Sequence, residues 1–523
     1  MGGRLNRLKI HAPYTVDGDP ILGTYAVSNL ADLEMVDKLG MNVVLGGHDM
    51  LDTSTPVGGF LHDRGIKVLH HLTRHIYGKP TLGDMVGPDQ IKIPLSTRPA
   101  KTLEAPGVVL LDDELVKFEE FTPGALRKCE RGYGGTEPAV HNEGMFVFSP
   151  DECAEEVEET RSSPNLLGYY VLDDSPGDCI SALRGIYRSI WEVDGGPDHH
   201  VVCAGYGSGG ALTNFGPEVC DLMMLYWYPV DEGGYDREMT GRETQWLLAE
   251  ARARVPGIPF VGIYQSYWGG GALEPTPAQL RQQLEDFVRE GACGLVSFAC
   301  RIREPMGGWA SSERLQGEIA GVNEEILSTG GLEVPPEPPE MAGKRIQPTG
   351  FWDRPAPVPG VIPAWRVVAP FDNSDGKSLD AGFPPEKVLD LDTTYPGKFG
   401  PIHWIERSTV AGYVGLGEIF GAQNLTSYCV AYATCTVSTP VERHLRMLGG
   451  ADDEVIIWQD GVEIYRHRGV RGIGRENDSV PVGLREGETR FLVKVCNLEG
   501  MWGFVYRFVE EDGGPAEGLE FSV

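Results

Sequence analysis

Chemistry in this 523-residue chain would begin at acids that close apolar runs. The segment LLGYYVLDDSP (Leu166–Pro176) ends in Asp173 and Asp174. Neighbouring side chains on a strand point to opposite faces. One of the two acids can therefore face a cavity while the other caps the following turn. YWYPVDEGG sets Asp231 and Glu232 just past another apolar run, and NVVLGGHD sets Asp49 beside His48. Two carboxyl groups across a cleft, one protonated and one ionised, are what acid–base cleavage of a glycosidic bond uses. Asp174 is the first choice for one of them, with Asp173 close behind and Asp231 as the favoured second. Glu143 and Glu304 sit in loops that could reach the same place.

Rings gather near these acids. Tyr226, Trp227, Tyr228, Tyr264, Tyr267 and Trp268 crowd the ends of two apolar runs, Tyr206 ends an earlier one and Trp309 follows a later one. Aromatic planes accept the C–H faces of a sugar, although core packing claims about half of such rings in the alternative reading. Gln265, His48, Asp49, His71 and Arg301 would then take hydroxyl groups. Arg301 and Arg303 also suit a carboxylate. The histidines carry a rival chemistry. His48, His70, His71 and His75, with Asp49 and Asp173, could form the metal site of a barrel hydrolase. No ligand spacing matches a known pattern.

The elements that must position these groups are legible as a series. Eight near-continuous apolar runs recur in residues 1–330, as strands buried on both faces do: Ile21–Val27, Asn42–Gly47, Ile66–Leu72, Leu166–Asp174, His200–Tyr206, Asp221–Val230, Pro259–Trp268 and Gly294–Arg301. Helical patterns alternate with them: Leu30–Leu39, Ser149–Arg161, Cys179–Val193, Arg242–Arg254, Thr276–Glu290 and Ser311–Leu327. The second-to-third and fifth-to-sixth connections read as short and weakly helical. The pattern predicts a (β/α)8 TIM barrel, with an open doubly wound sheet as the alternative. A long insertion at about 73–148 follows the third run, on the face where barrel active sites are built. Within it, Gly107–Phe121 could form a hairpin.

Residues 331–364 read as a Pro-rich linker, because VPPEPPE and RPAPVPG favour extended geometry. Residues 365–523 carry strand-like runs with turn punctuation and predict a jelly-roll-like β-sandwich, with a hairpin at Asp460-Gly461. Asp372, Asn373 and Asp375 there form an oxygen-rich loop. It suits either a structural calcium or ordinary Asx turns. No other cofactor is required.

Composition excludes more than it assigns. The 45 basic and 76 acidic residues leave a net charge of −31. Such a chain repels nucleic acid and anionic membrane. No stretch of ~18 apolar residues occurs that could span a bilayer. The first residues lack the apolar core of a signal peptide. The protein would be secreted or periplasmic if a signal had been removed, and cytoplasmic otherwise. The ten cysteines show no CxxC pair and read as buried thiols.

Two stretches resemble known families. LLGYYVLDDSP is similar to the fourth-strand ending of glycoside-hydrolase-type barrels from poorly characterised bacterial families, with Asp174 where a Glu is usual. The Tyr-Pro run before Asp231 and the Gln265-aromatic run resemble strands six and seven of the same barrels. Trp365–Lys387, Tyr395–Trp404, Gly449–Ile464 and Phe491–Arg507 resemble galactose-binding-like β-sandwich modules. The resemblance implies a glycoside hydrolase acting on an oligosaccharide, polysaccharide or glycoside, with an exo preference suggested by the walled mouth. The rival readings are a non-catalytic carbohydrate-binding protein and a metal-dependent barrel hydrolase.

Overall fold

The eight apolar runs pair side by side and close on themselves. They form β1 (Asp19–Thr24), β2 (Val43–Gly46), β3 (Lys67–His71), β4 (Leu166–Leu172), β5 (Val201–Tyr206), β6 (Leu222–Tyr226), β7 (Phe260–Gln265) and β8 (Gly294–Phe298). Each is parallel to the next. β8 returns to β1, with Ile21 opposite Gly294 and Thr24 opposite Ser297. The result is a closed (β/α)8 barrel. The computed structural model describes residues 6–96, 102–141, 144–173, 179–207, 211–231, 234–235, 237–269, 272–302, 306–336, 359–377, 379–409, 412–420, 427–474, 477–498 and 502–523.

Strand alternation sorts the side chains. Ile21, Val43, Leu45, Leu69, Tyr170, Met224, Ile263 and Val296 pack together inside the barrel. Leu22, Val44, Val68, Tyr169, Val202, Met223 and Leu295 pack with the helices outside. The longer helices are α1 (Leu30–Lys38), α2 (Pro56–Arg64), α3 (Pro150–Thr160), α4 (Ile180–Val193), α5 (Arg237–Arg254), α6 (Pro277–Arg289) and α7 (Glu313–Thr329). Local chemistry sets several of their ends. Thr276 and Gln279 make a reciprocal capping box ahead of α6, with Pro277 in its first turn. Ser312 caps α7, and Gly330 ends it in the left-handed region.

One connection departs from the sequence reading. Between β2 and β3, where little helix was expected, lies α2. Thr55 caps it by accepting from the Gly58 N–H, and Pro56 opens it. Gly58 and Gly59 lower its intrinsic propensity and hide it from a composition reading. Packing explains Gly58, because a Cβ there would lie 2.1 Å from the Asp52 carbonyl oxygen. Among the described residues, the β5–β6 connection carries a 3-10 turn, Ala211–Asn214.

The insertion after β3 has an apolar cluster of its own, with Leu82, Ile93, Val109, Val116, Phe118, Leu126 and Val147. Gly107–Leu111 and Glu114–Phe118 pair antiparallel within it. A buried carboxylate pins this unit. Glu114 accepts two bonds from Arg131 at 2.7 Å, one from His141 at 2.7 Å, and the N–H groups of Gly132 and Ala139 at 2.9 Å. Burial pushes the Glu114 carboxyl up, but these donors together hold it at about 2.

The stretch read as a linker begins as a strand. Gly331–Val334 pairs antiparallel with Asn6–Lys9, ahead of the barrel. Most of its prolines fall outside the described residues. Beyond it, antiparallel strands stack as a β-sandwich: β9 (Ala364–Asp372), β10 (Cys429–Thr439), β11 (Arg443–Asp452), β12 (Glu454–Gln459), β13 (Val462–His467), β14 (Asp478–Leu484), β15 (Gly487–Asn497) and β16 (Gly503–Val509). One sheet runs β9-β10-β15-β12-β13, with Ile405–Ser408 beside β9 and Glu520–Ser522 beside β10. The other runs β16-β11-β14, with Tyr413–Gly415 beside β16. Trp365, Val455, Val493, Met447, Phe504 and Tyr506 fill the space between them. Asp460 and Gly461 both take positive φ, 48° and 81°, which is the twist a two-residue hairpin requires. All ten cysteines are buried, and none is joined in a disulfide. Among the described residues no helix is long and apolar enough to cross a membrane.

Candidate active site

The C-terminal end of the barrel is lined by a continuous belt of rings. His71 meets Tyr170 edge-on at 5.4 Å, and Tyr170 meets Tyr25 at 5.7 Å. Tyr25 meets Phe298 at 5.4 Å, Phe298 stacks on Tyr228 at 5.4 Å, and Tyr228 stacks on Tyr226 at 5.4 Å. Tyr267 stands edge-on to both Tyr228 and Phe298. Glycines make room for it. A Cβ on Gly205 would lie 2.3 Å from the Tyr170 oxygen, and one on Gly207 would lie 1.8 Å from the Tyr226 ring.

A hydrogen-bond chain crosses this belt to Asp173. The Tyr25 hydroxyl donates to the Tyr170 oxygen at 2.7 Å, and the Tyr170 hydroxyl donates to Asp173 Oδ1 at 3.0 Å. Asp173 follows β4 directly, past an irregularity between Tyr170 and Leu172. Burial raises its pKa above the usual carboxylate range, and the Tyr170 hydroxyl only partly opposes this. Tyr77, from the first turn of the insertion, donates to the Asp173 backbone oxygen and ties the insertion to the rim. Burial, with the neighbouring His70, lowers His71 to about 4. His71 is therefore neutral at pH 7 and can donate from one ring nitrogen and accept at the other.

The belt includes His71, Tyr226, Tyr228 and Tyr267 from the sequence candidates. Others lie apart from it. Tyr206 is fully buried in the core shared with the helices, and its hydroxyl donates to the Asn214 oxygen at 3.3 Å. Gln265 is also fully buried. Its amide clasps backbone, accepting from the Val230 N–H at 2.9 Å and donating to the Val230 and Leu273 oxygens. Arg301 donates to Asp32 at 2.5 Å. Asp32 is fully buried, so this bond engages the arginine even though its own side chain is 44% exposed. Trp268 lies in a two-residue ladder with Gly307–Gly308. Asp49 is exposed on a one-turn helix, His48–Leu51. Asp174, Glu143, Glu232, Arg303 and Glu304 lie outside the described residues, as does the side chain of Asp231.

In the β-sandwich, the Asp372–Asp375 loop caps its own turns. Asp372 accepts from the Ser374 N–H and hydroxyl and faces Lys398 at 3.5 Å, and Asp375 accepts from the Lys377 N–H. Asn373 is buried, and its amide donates to the Asn497 oxygen at 3.4 Å.

One charged residue was missed altogether. Glu156 on α3 is 2% exposed and accepts from four side chains. His48 and His70 reach Oε1, each at 3.0 Å, while Arg74 and His75 reach Oε2 at 2.5 and 2.6 Å. Burial pushes its pKa up, but these donors carry it well below the usual carboxylate range. The signal was present as an acid on the helix stripe that also carries Cys153, Val157 and Thr160.

No family model and no curated protein matches the chain. Among solved structures, a proposed alpha-L-fucosidase from Bacteroides thetaiotaomicron has a TM-score of 0.33 at 12% identity, over 63% of this chain and 95% of that one. A xylanase and alpha-amylase inhibitor protein from Scadoxus multiflorus has a TM-score of 0.34 at 10% identity, over 58% and 99%. A GH30 endoxylanase from Clostridium papyrosolvens has a TM-score of 0.28 at 10% identity, over 94% and 100%. No residue role is carried across from any of them.

Proposed function

We propose that the barrel mouth binds a carbohydrate and cleaves a glycosidic bond, with Asp173 as the proton donor. The observation that carries this reading is the raised, half-buried carboxyl of Asp173, held by Tyr170 inside a belt of rings. A carboxyl whose pKa is raised by burial is the better proton donor to a leaving group. Tyr170 occupies Oδ1, so Oδ2 carries the proton toward the glycosidic oxygen. Water then takes the anomeric carbon, activated by a second carboxylate. Asp174 and Asp231 are the candidates for that partner. The part-exposed rings of Tyr226, Tyr228, Tyr267 and Phe298 supply planes for sugar C–H faces, and neutral His71 supplies a hydroxyl contact. The insertion tied to the rim by Tyr77 suits a walled pocket and action at chain ends.

A panel of glycosides and oligosaccharides tests this. Asp173→Asn is expected to lower turnover by roughly 10²–10⁴-fold on the responding substrate. Full activity in that variant would remove Asp173 from the chemistry.

A further inference from the structure

β3 presents two adjacent histidines to opposite sides of the barrel wall. His71 meets Tyr170 on the mouth side, while His70 faces Glu156 on α3. We propose that His48, His70 and Glu156 form a binding site for one divalent transition-metal ion of the zinc type, at the root of the insertion and outside the mouth.

Three elements bring the donors together: the turn after β2, the end of β3, and α3. Their ligand atoms all lie within 4.8 Å of one another. The two Nε2 atoms are each 3.0 Å from Glu156 Oε1. Donors on a tetrahedral zinc, at bonds of ~2.0–2.1 Å, stand about 3.3 Å apart. The cluster therefore reaches that geometry with shifts of an ångström or so. The His48 and His70 rings stand at 74° to each other with centroids 4.8 Å apart, so two imidazoles approach one point without stacking.

The donor set selects the metal class. Two imidazole nitrogens and one carboxylate oxygen suit zinc, cobalt or nickel rather than calcium or magnesium, which take oxygen ligands. The surroundings resemble a supported site. His75 and Arg74 hold the far carboxylate oxygen and fix its orientation, as outer partners of metal ligands do. His70 Nδ1 is buried without a partner, so it can carry the ring proton when Nε2 turns its lone pair to the ion. Access comes through His48, whose side chain is 51% exposed while those of His70 and Glu156 are each 1% exposed. Three protein ligands beside solvent leave a fourth position for water.

The site is independent of the reading for the mouth, and either can fail alone. The test uses the full chain, stripped with chelator and titrated with zinc and with cobalt. Calorimetry is expected to give one ion per chain. Cobalt should give the visible absorption of a tetrahedral site. His48→Ala, at a half-exposed position, should weaken binding at least tenfold and erase that band, with circular dichroism unchanged. His62→Ala, at an exposed histidine, should leave both intact. Absence of a stoichiometric ion in the unaltered chain, or the same band and affinity in His48→Ala, would overturn the proposal and leave Glu156 as a hydrogen-bonded hub.

Discussion

Asp173 and Glu156 are acids on either side of the same barrel wall, with opposite fates. Asp173 has one hydroxyl to oppose its burial and titrates high. Glu156 has three imidazoles and a guanidinium and stays ionised. The difference lies in donor count rather than depth. It makes Tyr170 a positioning residue with a readable role. Tyr170→Phe removes the one bond that lowers Asp173, so the Asp173 pKa should rise further. The alkaline limb of the kcat/KM profile should then move to higher pH; an unmoved limb would separate Asp173 from catalysis. His71 has a sign of its own. Its pKa falls from about 6.5 in the unfolded chain to about 4 in the fold. The stability it contributes is full above pH 6.5 and is lost as pH drops toward 4. Denaturant midpoints across that window should fall less in His71→Gln.

At the residue scale, Asp173 was legible as an acid closing a buried run, second to Asp174, which lies outside the described residues. Gln265 and Arg301 were also visible, but their partners were not. Gln265 is taken up by the backbone of Val230 and Leu273, and Arg301 by an acid 269 positions earlier. Side-chain type and spacing do not encode partners that remote.

The elements were easier to read than their contacts. The strands announced themselves because burial on both faces demands apolar runs, and α6 through its cap and proline. α2 did not, since its glycines answer to packing against Asp52 rather than to helix propensity. The insertion was visible as a length and a hairpin, but its anchor was not. Glu114 and its five donors make that anchor, and the expected consequence is local. Glu114→Gln breaks a buried ion pair with Arg131, at a cost of about 3–5 kcal/mol. Limited proteolysis should cut the insertion of that variant well before the barrel. Acid should do the same to the unaltered chain. Glu114 titrates at about 2 in the fold, against ~4.3 when free. Its stabilisation is full above the free value and lost as pH falls from there toward 2.

The whole molecule carries a net charge of −31, and its self-repulsion is the long-range force on it. Added monovalent salt should therefore raise the midpoint of thermal unfolding at pH 7, because screening relieves repulsion in the compact state. A midpoint independent of salt would show that local ion pairs already offset the excess. The overall architecture was legible from the repeat of apolar runs and the shift to strand-and-turn composition after residue 365. The pairing of Asn6–Lys9 with Gly331–Val334 was not, since it joins segments with no local sign of each other.

Barrel closure also sets a timetable for synthesis. Ile21–Thr24 of β1 gain their second barrel neighbour only when β8 arrives, because Ile21 pairs with Gly294. At ~5–20 residues per second, the intervening stretch of about 270 residues takes roughly 15–55 s to make. Throughout that interval a nascent chain displays an unfinished apolar edge. A ribosome-bound chain halted before residue 294 should hold chaperones, and one carried past residue 334 should release them.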